Sequence, residues 1–469
     1  MTTDMAGQAA SGVDFASTVD ELRAGFDSGL TRPLGWRRAQ LDGLAALLTE
    51  HELDIAAALA SDLGKSAGES YLTETGLALA EVRHVRRSLR WWLRPRLVRP
   101  TLATFPSLAV TVREPLGVCL VIAPWNYPLQ LALAPLVGAL AGGNTCLVKP
   151  SELAPATAAL LAALVPRYVD QRAVRVVTGG VPETTALLRE RFDHIFYTGN
   201  GRIARIVAEA AAAHLTPTTL ELGGQCPVFL DGTTDLRIAA NRIAWAKWTN
   251  AGQTCVAPDY VLATPAVADQ LESLIPRAAR RMFGDDAQRS PDYGRIITDA
   301  HLARLLAYVA DGRLVSGGHH DTRDRYLEPT VLADVSPDAP VMQEEIFGPI
   351  LPILRVPDAD AAIAFINGRD RPLALYAFTS DAATRRRFVE QTSSGALTFG
   401  LPLAHFAMTD LPFGGVGASG MGSYHGKYSL ATFTHEKPVV SKPDHPDTSK
   451  VVHPPITARR MRIARRVIR

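Results

Sequence analysis

Cys255 stands in Asn250-Ala251-Gly252-Gln253-Thr254-Cys255, where glycine and small polar residues precede the thiol. Such a setting leaves a cysteine within reach of substrate, and its thiolate is a nucleophile. Asn126 lies between Pro124 and Pro128, whose locked φ angles fix how the chain presents the side-chain amide. Glu221 closes an apolar run and opens Glu221-Leu222-Gly223-Gly224, a carboxylate followed by flexible turn residues. Lys149 and Glu152 put a cation and an acid at the end of another apolar run, and open α/β sheets bind ligands at such carboxyl ends. Taken singly, Asn126, Glu221 and the Lys149–Glu152 pair each read better as satisfied polar residues at strand ends.

A fourth cluster, Tyr197-Thr198-Gly199-Asn200-Gly201-Arg202-Ile203-Ala204, reads G-x-G-x-x-A between an apolar strand and a helix. That is the context a dinucleotide fingerprint needs: glycines let backbone N–H groups approach a pyrophosphate at the helix N-terminus. A Gly-Asn-Gly turn is also ordinary punctuation. In such folds an acid about 20 residues further on binds the ribose, and Glu221 occupies that place. Cys119 and Cys146 interrupt apolar strands and read as small hydrophobes, while Cys226 in its loop fits either role. His319-His320 lacks a third ligand at metal-binding spacing and reads as an exposed loop.

These groups need a frame. From Thr18 to about Trp92 apolar residues recur at three and four, as in Leu41, Leu44, Leu47 and Leu48, which predicts amphipathic helices. Strands are expected at 109–113, 117–123, 145–149, 174–177 and 194–197. Helices are expected at 130–140, 156–168, 184–191 and 202–214. Continuous apolar strands alternating with helices indicate a doubly wound parallel sheet. Alternation resumes after Glu221 with strands at 228–230 and 260–262 and helices at 236–250 and 268–283, a second α/β unit. Beyond His435 the chain turns Pro-, His- and Asp-rich and carries six arginines from Arg459 to Arg469, the pattern of a disordered or surface-lying tail.

The chain has 469 residues, enough for two or three domains at about 150 each. Hydrophobic residues make up 47% and charged residues 20%, a globular composition, and the net charge of +2 argues against bulk attraction to nucleic acid. Seven arginines between Arg83 and Arg99, beside Trp91 and Trp92, fit a solvated helix face with tryptophan beneath it. The opening Met1-Thr-Thr-Asp-Met-Ala-Gly lacks a basic n-region, and the longest apolar stretch, about 128–143, is interrupted by Gln130 and Pro135. Neither a secretory leader nor a membrane span is expected. Four sparse cysteines suit reduced thiols in the cytoplasm rather than disulfides or zinc, and no metal site is expected.

Together the clusters resemble the aldehyde dehydrogenase superfamily over about residues 20–437. The motifs occur in the family's order: PWNYP (124–128), KPSE (149–152), YTGN (197–200), ELGG (221–224), GQTC (252–255), EEIFGP (344–349) and PFGGVG (412–417). GQTCVAPDY (252–260) and SGMGSYHGKYSLATFTH (419–435) resemble the class 3 branch, which includes fatty and aromatic aldehyde dehydrogenases. The resemblance implies an α/β aldehyde dehydrogenase fold. A variant Rossmann NAD(P)-binding domain would take 1–100 and 114–221, and an α/β catalytic domain 222–410. A small β oligomerisation element would take 101–113 and 411–440, and a basic tail 441–469.

By the same resemblance Cys255 is the nucleophile, Asn126 with the Cys255 N–H holds the oxyanion, and Glu221 activates the hydrolytic water. That role for Glu221 displaces the ribose assignment made from spacing. Lys149 and Glu152 then hold the adenosine ribose. Trp125, Tyr197, Thr198, Gly199 and Asn200 line the dinucleotide site, Glu345 holds the nicotinamide ribose, and Phe347 lines that pocket. The implied activity is oxidation of an aldehyde to its acid with NAD or NADP, by a homodimer. Rival readings are a coenzyme A-acylating dehydrogenase, which Glu221 argues against, and a non-enzymatic NAD-binding protein, which intact Cys255, Glu221 and Asn126 argue against. Ala204, Gln225 and Cys226 depart from frequent family residues. The Arg-rich tail implies no integral anchor, though peripheral contact with an anionic surface fits it. His405 and His425 belong to the substrate pocket or to packing.

Overall fold

The computed structural model describes residues 14–101 and 104–467; residues 1–7, read above for a targeting signal, and Arg469 lie outside them. The N-terminal fifth is helical, from Phe15–Asp27 through Gly76–Trp92. In that last helix Trp92 packs against the core, but Trp91 is exposed with the Arg94 guanidinium stacked 3.6 Å over its ring, so only one of the two tryptophans is tucked beneath the arginines.

A six-stranded sheet follows, in the spatial order Gly420–Met421, Thr218–Glu221, His194–Thr198, Val118–Ile122, Thr145–Lys149, Val174–Val176. All neighbours run parallel except the first pair. The central strands are buried along their whole length, as their uninterrupted apolar runs require. The crossover helix Gln130–Gly142 is buried on every side and has no charged residue, the composition of a helix with no solvent face.

Chain order reverses beside Val118–Ile122: the strands at 145 and 174 lie to one side, those at 194 and 218 to the other. Ligand crevices form at the carboxyl ends around such a switch point. Register aligns those ends. Ile122 faces Lys149 on one side and Tyr197 on the other, Thr198 faces Glu221, and Glu221 faces Gly420.

A second, seven-stranded sheet runs Arg313–Ser316, Thr330–Ala333, Ile350–Arg355, Tyr260–Ala263, Pro227–Leu230, Ala374–Phe378, Ala396–Phe399, parallel after its first pair. A third sheet is antiparallel and joins Arg96–Val98, Leu108–Pro115 and Thr434–Ser441.

The helices expected at 184–191 and 236–250 differ from the structure. The helix expected at 184–191 is Val181–Leu187, because the Glu183 carboxylate accepts the Gly180 N–H at 2.8 Å and Pro182 suits a first turn. The helix expected to reach Asn250 ends at Trp248, where the chain enters a turn with left-handed residues. Beyond His435 the described residues take the surface-lying form of the two expected: Thr434–Ser441 is a strand and Ala458–Val467 an exposed helix. Ladder hydrogen bonds to Leu108–Pro115 order the first, and an Ala/Arg-rich sequence of good helix formers favours the second.

Candidate active site

Every site residue named from the sequence lines one cavity of about 830 Å³ at the carboxyl ends of the six-stranded sheet. That volume is in the upper range of small-molecule clefts. Glu221, Lys149, Tyr197 and Thr198 reach it from strand ends, Trp125 and Asn126 from the loop after Val118–Ile122, and Cys255, Glu345 and Phe347 from loops of the seven-stranded sheet.

Cys255 is half-buried at the end of a constrained loop. Asn250 and Ala251 both hold φ above +50°, and Gly252 follows at +78°, where a Cβ would lie 2.2 Å from the Gly348 carbonyl. Non-glycine residues in that region cost about 1–3 kcal/mol each unless their surroundings hold them. Here side chains supply the hold. The Asn250 amide donates to the carbonyls of Asn126 (2.8 Å) and Gln253 (3.1 Å), and its N–H donates to Glu69 at 2.6 Å. Gln253 donates to the carbonyls of Asn250 and Arg295 and accepts from the Ile297 N–H. Thr254 meets the Tyr127 hydroxyl at 2.5 Å.

Burial pushes the Cys255 thiol well up, and the carboxylates of Glu345 and Glu221 push it further; the N–H groups of Cys255 and Val256 oppose them. Glu221 is 2% exposed and neither carboxylate oxygen has a hydrogen-bond partner, so burial lifts it well above the usual carboxylate range. Burial, with Asp259 adding, raises Glu345 to about 8. Glu345 packs on Gly223, where any Cβ would fall 2.0 Å from its carboxylate. Asn126 is buried, and its amide donates to the Gln253 carbonyl at 3.1 Å.

Along the cavity wall the buried Lys149 ammonium pairs with the exposed Glu152 at 2.7 Å. Asn200 caps the helix Gly201–Ala212 through the Ile203 N–H, so a side chain already serves the first turn that the glycine-rich reading reserves for phosphate. The Thr198 hydroxyl is buried without a partner. Trp125 sets its ring edge-on to Phe347, 5.3 Å away. Orphaned polar atoms at Thr198 and Glu221, a paired cation and acid, and a glycine-backed carboxylate suit a polar, ribose-bearing ligand.

His405 and His425 sandwich the Phe413 ring at 5.6 and 5.3 Å. Phe413 lines the cavity, and the two histidines pack behind it, burial holding both down to about 4. Cys226 is buried; its thiol donates to the Cys255 carbonyl at 3.4 Å and accepts from the Ala374 N–H. Lys65, Glu69 and Glu74 escaped the sequence reading. They bind the Asn126 and Asn250 loops from far along the chain, and no local motif marks them.

The aldehyde dehydrogenase family model matches residues 4–439. Human aldehyde dehydrogenase family 3 member B1 is 48% identical over 447 residues, 95% of this chain and 96% of that protein. The canine dimeric NADP-preferring aldehyde dehydrogenase is 44% identical over 95% of this chain and 99% of its own. The substrate-bound structure of AldH from Staphylococcus aureus superposes with a TM-score of 0.94 at 42% identity, covering 97% of this chain and 99% of that one. Motif order, fold and full-length similarity agree: the chain belongs to the aldehyde dehydrogenase family, resembles its class 3 branch, and is an NAD(P)-dependent aldehyde dehydrogenase.

Proposed function

We propose that Cys255, Asn126 and Glu221 carry out the reaction in the cavity they share. The Cys255 thiolate attacks the aldehyde carbon; a C–S bond forms and the carbonyl π pair moves to oxygen as an oxyanion. The Asn126 amide and the Cys255 N–H donate to that oxygen. NAD(P)+, when bound, would supply the oxidant as a hydride acceptor; as the C–H bond of the former aldehyde carbon breaks and its pair leaves with the hydrogen, the oxyanion pair re-forms C=O and Cys255 is left as a thioester. Glu221 then removes a proton from water, whose oxygen attacks the thioester; the C–S bond breaks, the Cys255 thiolate leaves and the carboxylic acid departs. Lys149 and Glu152 would hold the adenosine ribose, Trp125 and the Tyr197–Asn200 turn the remainder of the dinucleotide, and Glu345 with Phe347 the nicotinamide riboside.

The burial of Glu221, unpartnered in the cavity that Cys255 also lines, carries this reading, because a base freed of competing hydrogen bonds can take a water proton. Leu77, Leu131, Phe406 and Phe413 on the same wall favour an apolar aldehyde. Turnover with NAD(P)+ and aldehyde in the absence of coenzyme A, yielding one acid per reduced cofactor, tests it; dependence on coenzyme A would support the acylating reading instead.

The reading extends to the domain division given above, to a cytoplasmic setting and to a homodimer. Exposed Leu97, Leu108, Val439 and Val440 on the three-stranded sheet support self-association there. The exposed helix Ala458–Val467, with Arg459, Arg462, Arg465 and Arg466, suits contact with an anionic surface. Among the described residues no helix is long and apolar enough to cross a membrane.

A further inference from the structure

Segment 65–74 carries three charged side chains that serve no surface. Lys65 and Glu74 form an ion pair at 2.5 Å with both side chains wholly buried. Glu74 sits on the π-helical turn Tyr71–Thr75, a rare conformation that recurs at functional sites. Buried pairs offset their desolvation only when further hydrogen bonds satisfy them, and here such bonds go to the loop at 124–128 and to the helix start that follows it. Lys65 donates to the Asn126 carbonyl at 2.9 Å and lies 4.1 Å over the Tyr127 ring. The other Glu74 oxygen accepts the N–H groups of Leu129 (2.9 Å) and Gln130 (3.2 Å). The loop Pro124–Pro128 is thus gripped at Asn126 and again just past its end. Glu69, from the same segment, takes the Asn250 N–H at 2.6 Å, and Asn250 returns its amide to the same Asn126 carbonyl.

We propose that Lys65 and Glu74 are positioning residues for the Asn126 amide, fixing the peptide that carries the oxyanion donor relative to the loop that carries Cys255. The inference rests on the reading of Asn126 as that donor. A misplacement of about 1 Å in such a donor costs on the order of a hundredfold in rate. The grip acts on kcat, because the oxyanion exists only after attack, and the bonds of Lys65 and Glu74 go to Asn126, Leu129 and Gln130 rather than to Trp125 or Cys255.

Removing one partner alone leaves an uncompensated buried charge, so the test uses the paired isosteres Lys65→Met/Glu74→Gln. Lys65→Gln/Glu74→Gln, which is also neutral and keeps a donor at position 65 and an acceptor for Leu129 and Gln130, is the milder second variant. Both are made in the wild-type and Asn126→Ala enzymes. Measurements are kcat, KM for aldehyde and for NAD(P)+, the thermal melt, and iodoacetamide alkylation of Cys255. In the wild-type background the paired variant should lose about 10- to 100-fold in kcat, with cofactor KM and alkylation rate unchanged. In the Asn126→Ala background the same change should cost less than about threefold, since the residue it acts through is gone. Equal losses in both backgrounds, or wild-type kcat in a folded paired variant, overturn the proposal while leaving the oxyanion reading intact. Wild-type kcat in Asn126→Ala overturns the oxyanion reading and this inference with it.

Discussion

The side-chain amide of Asn126 donates to the backbone carbonyl of Gln253, 3.1 Å away and two residues before Cys255. A primary amide has two N–H bonds, so Gln253 orients the group while one donor stays available to substrate oxygen. Gln253 thereby ties the loop that carries the amide to the loop that carries the thiol, although 129 positions separate Asn126 from Cys255 in the chain (255 − 126). This relationship makes the loop at 250–255 part of the proposed oxyanion site as well as the mount of the thiol.

Glu221 should make the protein less stable as pH rises. Burial raises its carboxyl above the ordinary Glu value of about 4.3, so the folded chain binds that proton more tightly than the unfolded one. The contribution is fully present below that ordinary value and is lost as pH climbs toward the raised one. Glu221→Gln removes the loss. Its melting temperature should exceed that of wild type at pH 8, with the difference closing by about pH 4; equal pH dependence would contradict the burial argument.

The Cys255 thiol is pushed up first by burial and then by the carboxylates of Glu345 and Glu221. Its alkylation by iodoacetamide in the cofactor-free enzyme should therefore accelerate into the alkaline range. Glu345→Gln removes a like charge and should shift the curve to lower pH, giving several-fold faster alkylation at pH 8. An unmoved curve would show that the two groups are uncoupled.

Cofactor preference should respond to Glu152. Its exposed carboxylate pairs with Lys149 at 2.7 Å, where the proposed adenosine ribose lies, and it would repel a 2′-phosphate. An exposed charge interaction is worth about 0.2–1 kcal/mol, so Glu152→Gln should improve kcat/KM for NADP+ relative to NAD+ by a few-fold at most. Lys149→Met should weaken both cofactors.

The three-stranded sheet predicts the oligomeric state. Val440 is 63% exposed and Leu108 is 56% exposed, and these two residues stand near one end of the paired strands. Val440→Lys with Leu108→Lys should convert the proposed dimer to monomer in sedimentation velocity without altering the melt of the monomer. A wild-type chain that is monomeric at micromolar concentration would contradict the assignment.

Residues acting through short motifs were legible in the sequence, because each glycine, proline or strand end constrains its neighbours. Glu221, Lys149 and Tyr197 sit at the ends of apolar runs; strand alternation placed Lys149 and Tyr197 on one sheet, and the resemblance added Glu221. At Glu221 spacing and resemblance point to different roles: the ribose rule assumes a phosphate-binding first turn, and Asn200 already caps that turn. Lys65 and Glu74 were illegible for a different reason. Their partners lie 61 and 55 positions away, so only the packed fold shows why two charges are buried in a helical stretch. Nor could sequence choose between pocket and packing for His405 and His425, since that depends on which ring of the Phe413 stack meets the cavity.

The most direct measurement is intact-protein mass spectrometry of the Glu221→Gln enzyme, quenched seconds after mixing with NAD+ and an apolar aldehyde. A mass increase equal to one acyl group, mapped to Cys255 and absent from Cys255→Ala, is predicted, together with one reduced cofactor per site in the first turnover and slow release of acid. Full steady-state turnover by Cys255→Ala, or an acyl group mapped to another residue, would contradict the account.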